Sequence, residues 1–213
     1  MKCVVIGAGG HGKVVLEILK AQKKHQPVGF LDADPSLVGS VVGGLPVLGA
    51  INYLSKLKAQ KVKGAIIAIG DNRTRRSYSQ VLAQHGIELI SAIHPRAIVS
   101  PSAKVGRGVV VAAGAVLGTE CTVGDLAIIN TSAVIDHECF IEEAAHICPT
   151  AALAGRVRIG ACAFVGLGAK ILPCLTIGAE AVIGAGAVVR ADIANGVTAV
   201  GVPARVVKPA KAA

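Results

Sequence analysis

Two stretches of the sequence hold side chains able to do chemistry. In Gly7-Ala8-Gly9-Gly10-His11-Gly12, the residues Gly7, Gly9 and Gly12 satisfy GxGxxG. Glycines at these places let backbone amides and a helix N-terminus approach phosphate. Asp32 follows twenty residues after Gly12, where a dinucleotide site places its ribose-binding acid. The second stretch is Asp136-His137-Glu138, with Asn130 upstream and His146 nine residues beyond His137. An imidazole accepts a proton readily near neutral pH, so His137 is a candidate base; the other reading of a histidine in a turn is plain surface exposure. Cys3, Cys121, Cys139, Cys148, Cys162 and Cys174 form no CxxC pair. They read as small buried thiols, without the spacing of disulfides, zinc ligands or nucleophiles.

The elements that position His137 follow from a period of six. Val99, Val105, Val111, Leu117, Val123, Ile129, Ile135, Ile141, Ile147, Leu153, Ile159, Val165, Ile171, Ile177, Ile183 and Val189 are sixteen consecutive hits. Two residues before each stands a small side chain in most repeats, with Val109, Val157 and Leu175 as larger exceptions. Alternation inside each hexamer predicts a short strand, and the Gly, Asn, Asp and Pro between hexamers predict turns. Each hexamer is then one flat side of a parallel β-helix, whose core is buried only by stacking, so its ends need caps. The segment from Ala191 with VGVPARVV is the expected C-terminal cap.

The glycine loop needs a different frame. KCVVIGAGGHGKVVLEILK reads as strand, glycine turn and amphipathic helix, with Val14, Val15, Ile18 and Leu19 toward the sheet. Strands are predicted at 27–31 and 64–69, and helices near 51–58 and 74–84. This alternation predicts a Rossmann-like parallel α/β domain over residues 1–94, with His94-Pro95 as the junction and the β-helix domain over 95–213.

Composition agrees with small-residue packing: 53% hydrophobic, 26 glycines and 2% aromatic. A net charge of +9 suits anionic ligands such as a nucleotide diphosphate. Nucleic acid is a poor match, because single-strand binders interleave aromatics and this chain has two Tyr, three Phe and no Trp. No apolar run reaches the roughly 18 residues of a membrane span. Met1-Lys2 leads directly into a strand-like segment, so a cytoplasmic location is expected.

IGAGGHGKVV, FLDADP, AIGDNRTR, IHPRAIVSP, DLAIINTSAVIDHECFIEEAAHICPTAALAG and GVPAR together resemble the bacterial nucleotide-sugar N-acetyltransferases. These are hexapeptide-repeat enzymes that share their architecture with the sialic acid O-acetyltransferases. The resemblance implies a left-handed β-helix of 18 residues per coil, although parallel crossovers are otherwise about 98% right-handed. It implies a homotrimer with intersubunit active sites and acetyl-CoA as co-substrate, without metal. The acceptor would be a nucleotide-linked 4-amino-4,6-dideoxy sugar such as GDP-perosamine or a UDP-4-amino sugar, for surface polysaccharide synthesis. His137 would be the general base in a direct attack, Glu138 would orient it, and Asn130 would lie near the reacting amine. His146, Gly155, Leu167 and Ala185 would bind acetyl-CoA. Gly9, Gly10, His11, Gly12, Asp32, Asp34, Gly70 and Asn72 would hold the nucleotide sugar. Arg73, Arg75 and Arg76 would either neutralise phosphate or form a solvated basic face. Rival readings are a sugar O-acetyltransferase, a hexapeptide-repeat carbonic anhydrase using His94, His137 and His146, and an NAD-dependent oxidoreductase.

Overall fold

The computed structural model describes residues 1–208; the last five residues of the expected second domain, 209–213, lie outside the described residues. The chain divides into two compact units, Met1–Pro95 and Arg96–Ala213.

The first unit is built on β1 (Lys2–Ile6), α1 (Gly10–Gln22), β2 (Gln26–Leu31), β3 (Val41–Val42), β4 (Leu45–Gly49), α2 (Leu54–Ala59), β5 (Gly64–Ile67), α3 (Asn72–Gln84) and β6 (Glu88–Leu89). Its sheet runs β3-β4-β2-β1-β5-β6. Strand β1 pairs in parallel with β2 on one side and β5 on the other. Buried on both faces, β1 and β5 are near-continuous apolar runs. Helix α1 covers the sheet with Val15, Leu16, Ile18 and Leu19. Val14, expected inward, is 42% exposed, and Leu16 takes its place. The helix therefore sits about one position from the rotation read from its valines.

The second unit is a left-handed parallel β-helix of two-residue strands. Val116 pairs with Val134, Val134 with Ala152 and Ala152 with Lys170, so one coil takes 18 residues. The inward residues of successive coils, such as Leu117, Ile135 and Leu153, stack in almost fully buried columns. Corners recur with the same period. From Gly108 to Gly186 every sixth residue has positive φ, including the non-glycines Glu120, Glu138 and Arg156. A left-handed conformation costs an L-residue roughly 1 to 2 kcal/mol. The corner amide offsets this by bonding to the coil before: Glu138 N donates to Thr119 O at 2.8 Å and Arg156 N to His137 O at 2.9 Å. The cap consists of strands Thr198–Val200 and Arg205–Lys208, paired antiparallel.

Candidate active site

In the first unit, the loops following β1, β2 and β5 meet at the C-terminal edge of the sheet. Because β1 is flanked by β2 and β5, a crevice opens there, the usual ligand position in a parallel α/β sheet. A cavity of about 270 Å3 occupies it, lined among others by Gly7, Asp32, Ile51, Ile69, Thr74 and Tyr78. The glycines of the first loop have two different functions. A Cβ at Gly12 would collide with Gly7 O, and one at Gly7, where φ is +103°, would lie 2.7 Å from Ala68 O. These two permit close packing. Cβ atoms at Gly9, Gly10 and Gly70 would meet nothing within 4 Å, so the fold around them does not require glycine. Gly9 is the N-cap of α1 and has no side chain to cap it, which leaves first-turn amides available to an anion.

Asp32 ties two of the loops together. Its carboxylate accepts from Ala8 N at 2.7 Å and from Asp34 N at 2.9 Å. Asp34 caps a short 3-10 turn by accepting from Ser36 N and Ser36 Oγ, and those bonds hold its carboxyl below the usual range. Within the arginine run, Arg75 departs from both readings made of it. Arg75 is fully buried. Its Nη1 donates to Ile69 O at 2.9 Å and Gly70 O at 3.3 Å, and its Nη2 donates to Asn72 Oδ1 at 2.8 Å. It is a lock for the loop after β5, neither a phosphate ligand nor a solvated face; Arg73 and Arg76 remain exposed. Burial and the nearby Arg75 charge lower the pKa of His11 to about 4, so its imidazole is neutral at pH 7.

In the second unit, the structure brings His137, Glu138 and Arg156 to one corner of the coil. His137 Nδ1 lies 3.0 Å from Glu138 Oε2, and Arg156 Nε donates to that same oxygen at 3.0 Å. Neighbours in a strand point to opposite faces, but the positive φ of Glu138 breaks the alternation and turns both side chains together. Asp136 fixes the preceding peptide by accepting from His137 N at 2.7 Å. Both hydrogen bonds, to His137 first and to Arg156, lower the pKa of Glu138. Gly155, one coil after His137, has a packing reason to be glycine: a Cβ there would strike His137 Cε1 and Nε2. Arg156 was missed from the sequence, although it stands one 18-residue coil after Glu138.

Asn130 and His146 form a second pair on another face, with Asn130 Nδ2 3.2 Å from His146 Nε2. His146, expected in an outward slot, is only 7% exposed, and its ring meets Phe164 edge-on at 5.3 Å. Leu167 and Ala185 stack at a further corner, where Gly186 N donates to Leu167 O at 2.8 Å, and the Leu167 side chain is 56% exposed. Cys139 and Cys148 are buried, which pushes both thiols up to about 11; Cys174, expected to be buried, is exposed. Among the described residues no three His, Cys, Asp or Glu side chains converge as a metal site, and no helix is long and apolar enough to cross a membrane.

Residues 2–82 match the PglD N-terminal domain. A crystal structure of a variant of perosamine N-acetyltransferase from Caulobacter crescentus, in complex with CoA and GDP-perosamine, is 44% identical. It matches with a TM-score of 0.94 and 98% coverage of each chain. The chain belongs to the bacterial nucleotide-sugar N-acetyltransferase family. Another member, the acetyltransferase domain of PglB from Neisseria gonorrhoeae FA1090 in complex with acetyl coenzyme A, is 41% identical. Its TM-score is 0.91, covering 97% of this chain and 98% of that one. UDP-N-acetylbacillosamine N-acetyltransferase of Bacillus subtilis (strain 168) is 36% identical over 110 residues, 51% of this chain; the chain spans 50% of that relative's length. Family membership accounts for the pairing of a parallel α/β unit with a hexapeptide β-helix.

Proposed function

We propose that this protein transfers an acetyl group from acetyl-CoA to the amino group of a nucleotide-linked 4-amino-4,6-dideoxy sugar, GDP-perosamine or a UDP-4-amino sugar. The observation that carries the reading is the contact of His137 Nδ1 with the Glu138 carboxylate. A carboxylate accepts, so Nδ1 carries the proton and Nε2 keeps its lone pair. The amine nitrogen attacks the thioester carbonyl; a C–N bond forms, the C–S bond breaks and CoA leaves as the thiol. His137 Nε2 takes the proton that the amine must lose. Gly155 provides the room in which that ring sits, and Glu138 stabilises the imidazolium. The raised pKa values of Cys139 and Cys148 keep those thiols protonated, which favours direct attack over an acyl-cysteine.

Acetyl-CoA binding is assigned to His146, Gly155, Leu167 and Ala185, with Asn130 beside the reacting amine. Nucleotide-sugar binding is assigned to Gly9, Gly10, His11, Gly12, Asp32, Asp34, Gly70 and Asn72. The open space at Gly9, Gly10 and Gly70 supports the second assignment. Asp32 and Asn72 act partly through the loops they brace. The same reading makes the protein a cytoplasmic homotrimer serving surface polysaccharide synthesis, with residues 1–94 holding the nucleotide sugar and 95–213 the coenzyme; a sedimentation mass of three 21.4 kDa chains would support the assembly.

The decisive experiment measures CoA thiol release against UDP-, GDP- and CMP-linked amino and hydroxy sugars. Turnover is expected with a UDP- or GDP-4-amino sugar, falling by about 10² to 10⁴ in His137→Ala. Turnover with hydroxy sugars alone would move the protein to the O-acetyltransferases. Near-full activity of His137→Ala would remove the base assignment.

A further inference from the structure

We propose that Arg156 is a positioning residue that sets the proton affinity of His137 through Glu138. The inference rests on the reading of His137 as general base. Both Arg156 Nε and His137 Nδ1 use Glu138 Oε2, each at 3.0 Å. The carboxylate therefore faces a permanent cation on one side and the imidazole on the other. A bare carboxylate beside a histidine strengthens the imidazolium and raises its pKa. With Arg156 sharing the oxygen, part of that stabilisation is cancelled.

The placement of Arg156 comes from the repeat. Glu120, Glu138, Arg156 and Cys174 occupy the same corner of successive coils, all with positive φ. The amides of Glu138, Arg156 and Cys174 hold the register by donating to carbonyls of the coil before, and the Glu120 amide donates to Ser102 Oγ. Arg156 thus reaches Glu138 from one coil on, independently of the strand that carries His137. Among the described residues, the charged and titratable groups that the register stacks at this corner of the unit are Asp136 and Glu138 on the turn of His137, Glu120 one coil before, and Arg156 and Cys174 on the coils after. The Cys121 and Cys139 thiols donate to the carbonyls of Asp136 and Ala154 on the inner side. Arg156 is the single cation of that set, so its removal leaves the carboxylates uncompensated.

The test is Arg156→Gln, with Arg156→Lys as the conservative variant, read in two ways. An NMR titration of the His137 imidazole in the full-length protein is expected to move up by about half to one pH unit in Arg156→Gln, a modest shift because the groups are partly exposed. The acid limb of kcat/KM should move with it, giving a loss of about 3- to 10-fold below the limb that shrinks toward wild type at high pH. Arg156→Lys keeps the charge and should restore most of the shift. An unmoved His137 titration in Arg156→Gln would overturn the proposal, as would a rate loss equal at every pH. His137→Ala at wild-type turnover is a separate outcome: it defeats the base assignment, whereas the titration decides the role of Arg156.

Discussion

Arg75 and Arg156 each stand beside a candidate binding site, but Arg75 holds a loop whereas Arg156 holds a side chain. Arg75 is fully buried and directs its guanidinium to Ile69 O, Gly70 O and Asn72 Oδ1. Arg156 is 62% exposed at its side chain and gives Nε to the Glu138 carboxylate. In the first unit the polar side chains stabilise backbone: Asp32 ties two loops and Asp71 caps α3. At the β-helix corner the backbone is already fixed by its coil-to-coil bonds, and the side chains of His137, Glu138 and Arg156 bond one another. Substitutions in the first unit should therefore be felt as stability, and those at the corner as rate.

The largest expected effect on stability is at Arg75. Arg75→Met keeps much of the volume but leaves the buried Asn72 amide oxygen and two part-buried carbonyls without their charged donor, at a cost of about 3 kcal/mol. Both tyrosines, Tyr53 and Tyr78, belong to the first unit and the chain has no Trp. Intrinsic tyrosine fluorescence thus follows that unit alone during urea unfolding, and its midpoint should fall clearly in Arg75→Met. An unchanged midpoint would break the comparison.

Gly155→Ala is the counterpart at the corner. The added Cβ would strike the His137 ring, which sits half exposed and can swing outward, so the fold should survive while the base moves. A displacement of about 1 Å typically costs on the order of 10² in rate, equivalent to about 2.7 kcal/mol in barrier. The measurement is kcat/KM alongside the unfolding midpoint. A large stability loss with little loss of rate would assign Gly155 to packing rather than to the geometry of the base.

The corner was the more legible of the two regions. A side chain every six residues defines the coil, so Asp136-His137-Glu138 could be placed in a turn and Gly155 one coil on from the sequence alone. The same rule reaches Arg156 from Glu138, but its role required the shared oxygen. Arg75 was not legible in the same way. Its partners are mostly carbonyls of the loop it locks, and backbone atoms have no residue identity to read. The rotation of α1 failed for a related reason, since Val14 and Leu16 are both apolar and only the packed sheet decides between them. His146 occupies the slot the repeat assigns, yet the edge-on contact with Phe164 reduces its exposure in a way the period cannot express.

Acid should separate the two regions next. His11 has a folded pKa of about 4 against an ordinary value near 6.5. Between those values the unfolded chain binds more protons, so stability contributed by neutral His11 is complete above about pH 6.5 and is lost as pH falls toward 4. The loss reaches about 2 kcal/mol at pH 5 and about 3 kcal/mol at the limit. Tyrosine-detected unfolding at pH 7 and pH 5 should show this fall in the wild type and a flatter profile in His11→Gln. Because Arg75 is the second cause of the lowered value, Arg75→Met should also narrow the window. Equal acid sensitivity in His11→Gln would transfer the effect to other groups.

The smallest effect gives the sharpest contrast, because it sets one carboxylate against another. Asp71 Oδ1 accepts from Thr74 N at 2.7 Å as the N-cap of α3, and hydrogen bonds from the Thr74 side chain and backbone lower its pKa. Asp71→Ala removes the cap and should cost about 1 kcal/mol of first-unit stability, whereas Asp71→Asn retains a capping oxygen and should cost less. Glu138 at the corner accepts only from side chains, His137 and Arg156. Glu138→Gln should leave thermal unfolding unchanged, because the turn is held by the bond from Glu138 N to Thr119 O, and should lower the rate. If Glu138→Gln proved the more destabilising of the two, the corner carboxylate would be a structural brace like those of the first unit, and the division between stability and rate would fail where it is most specific.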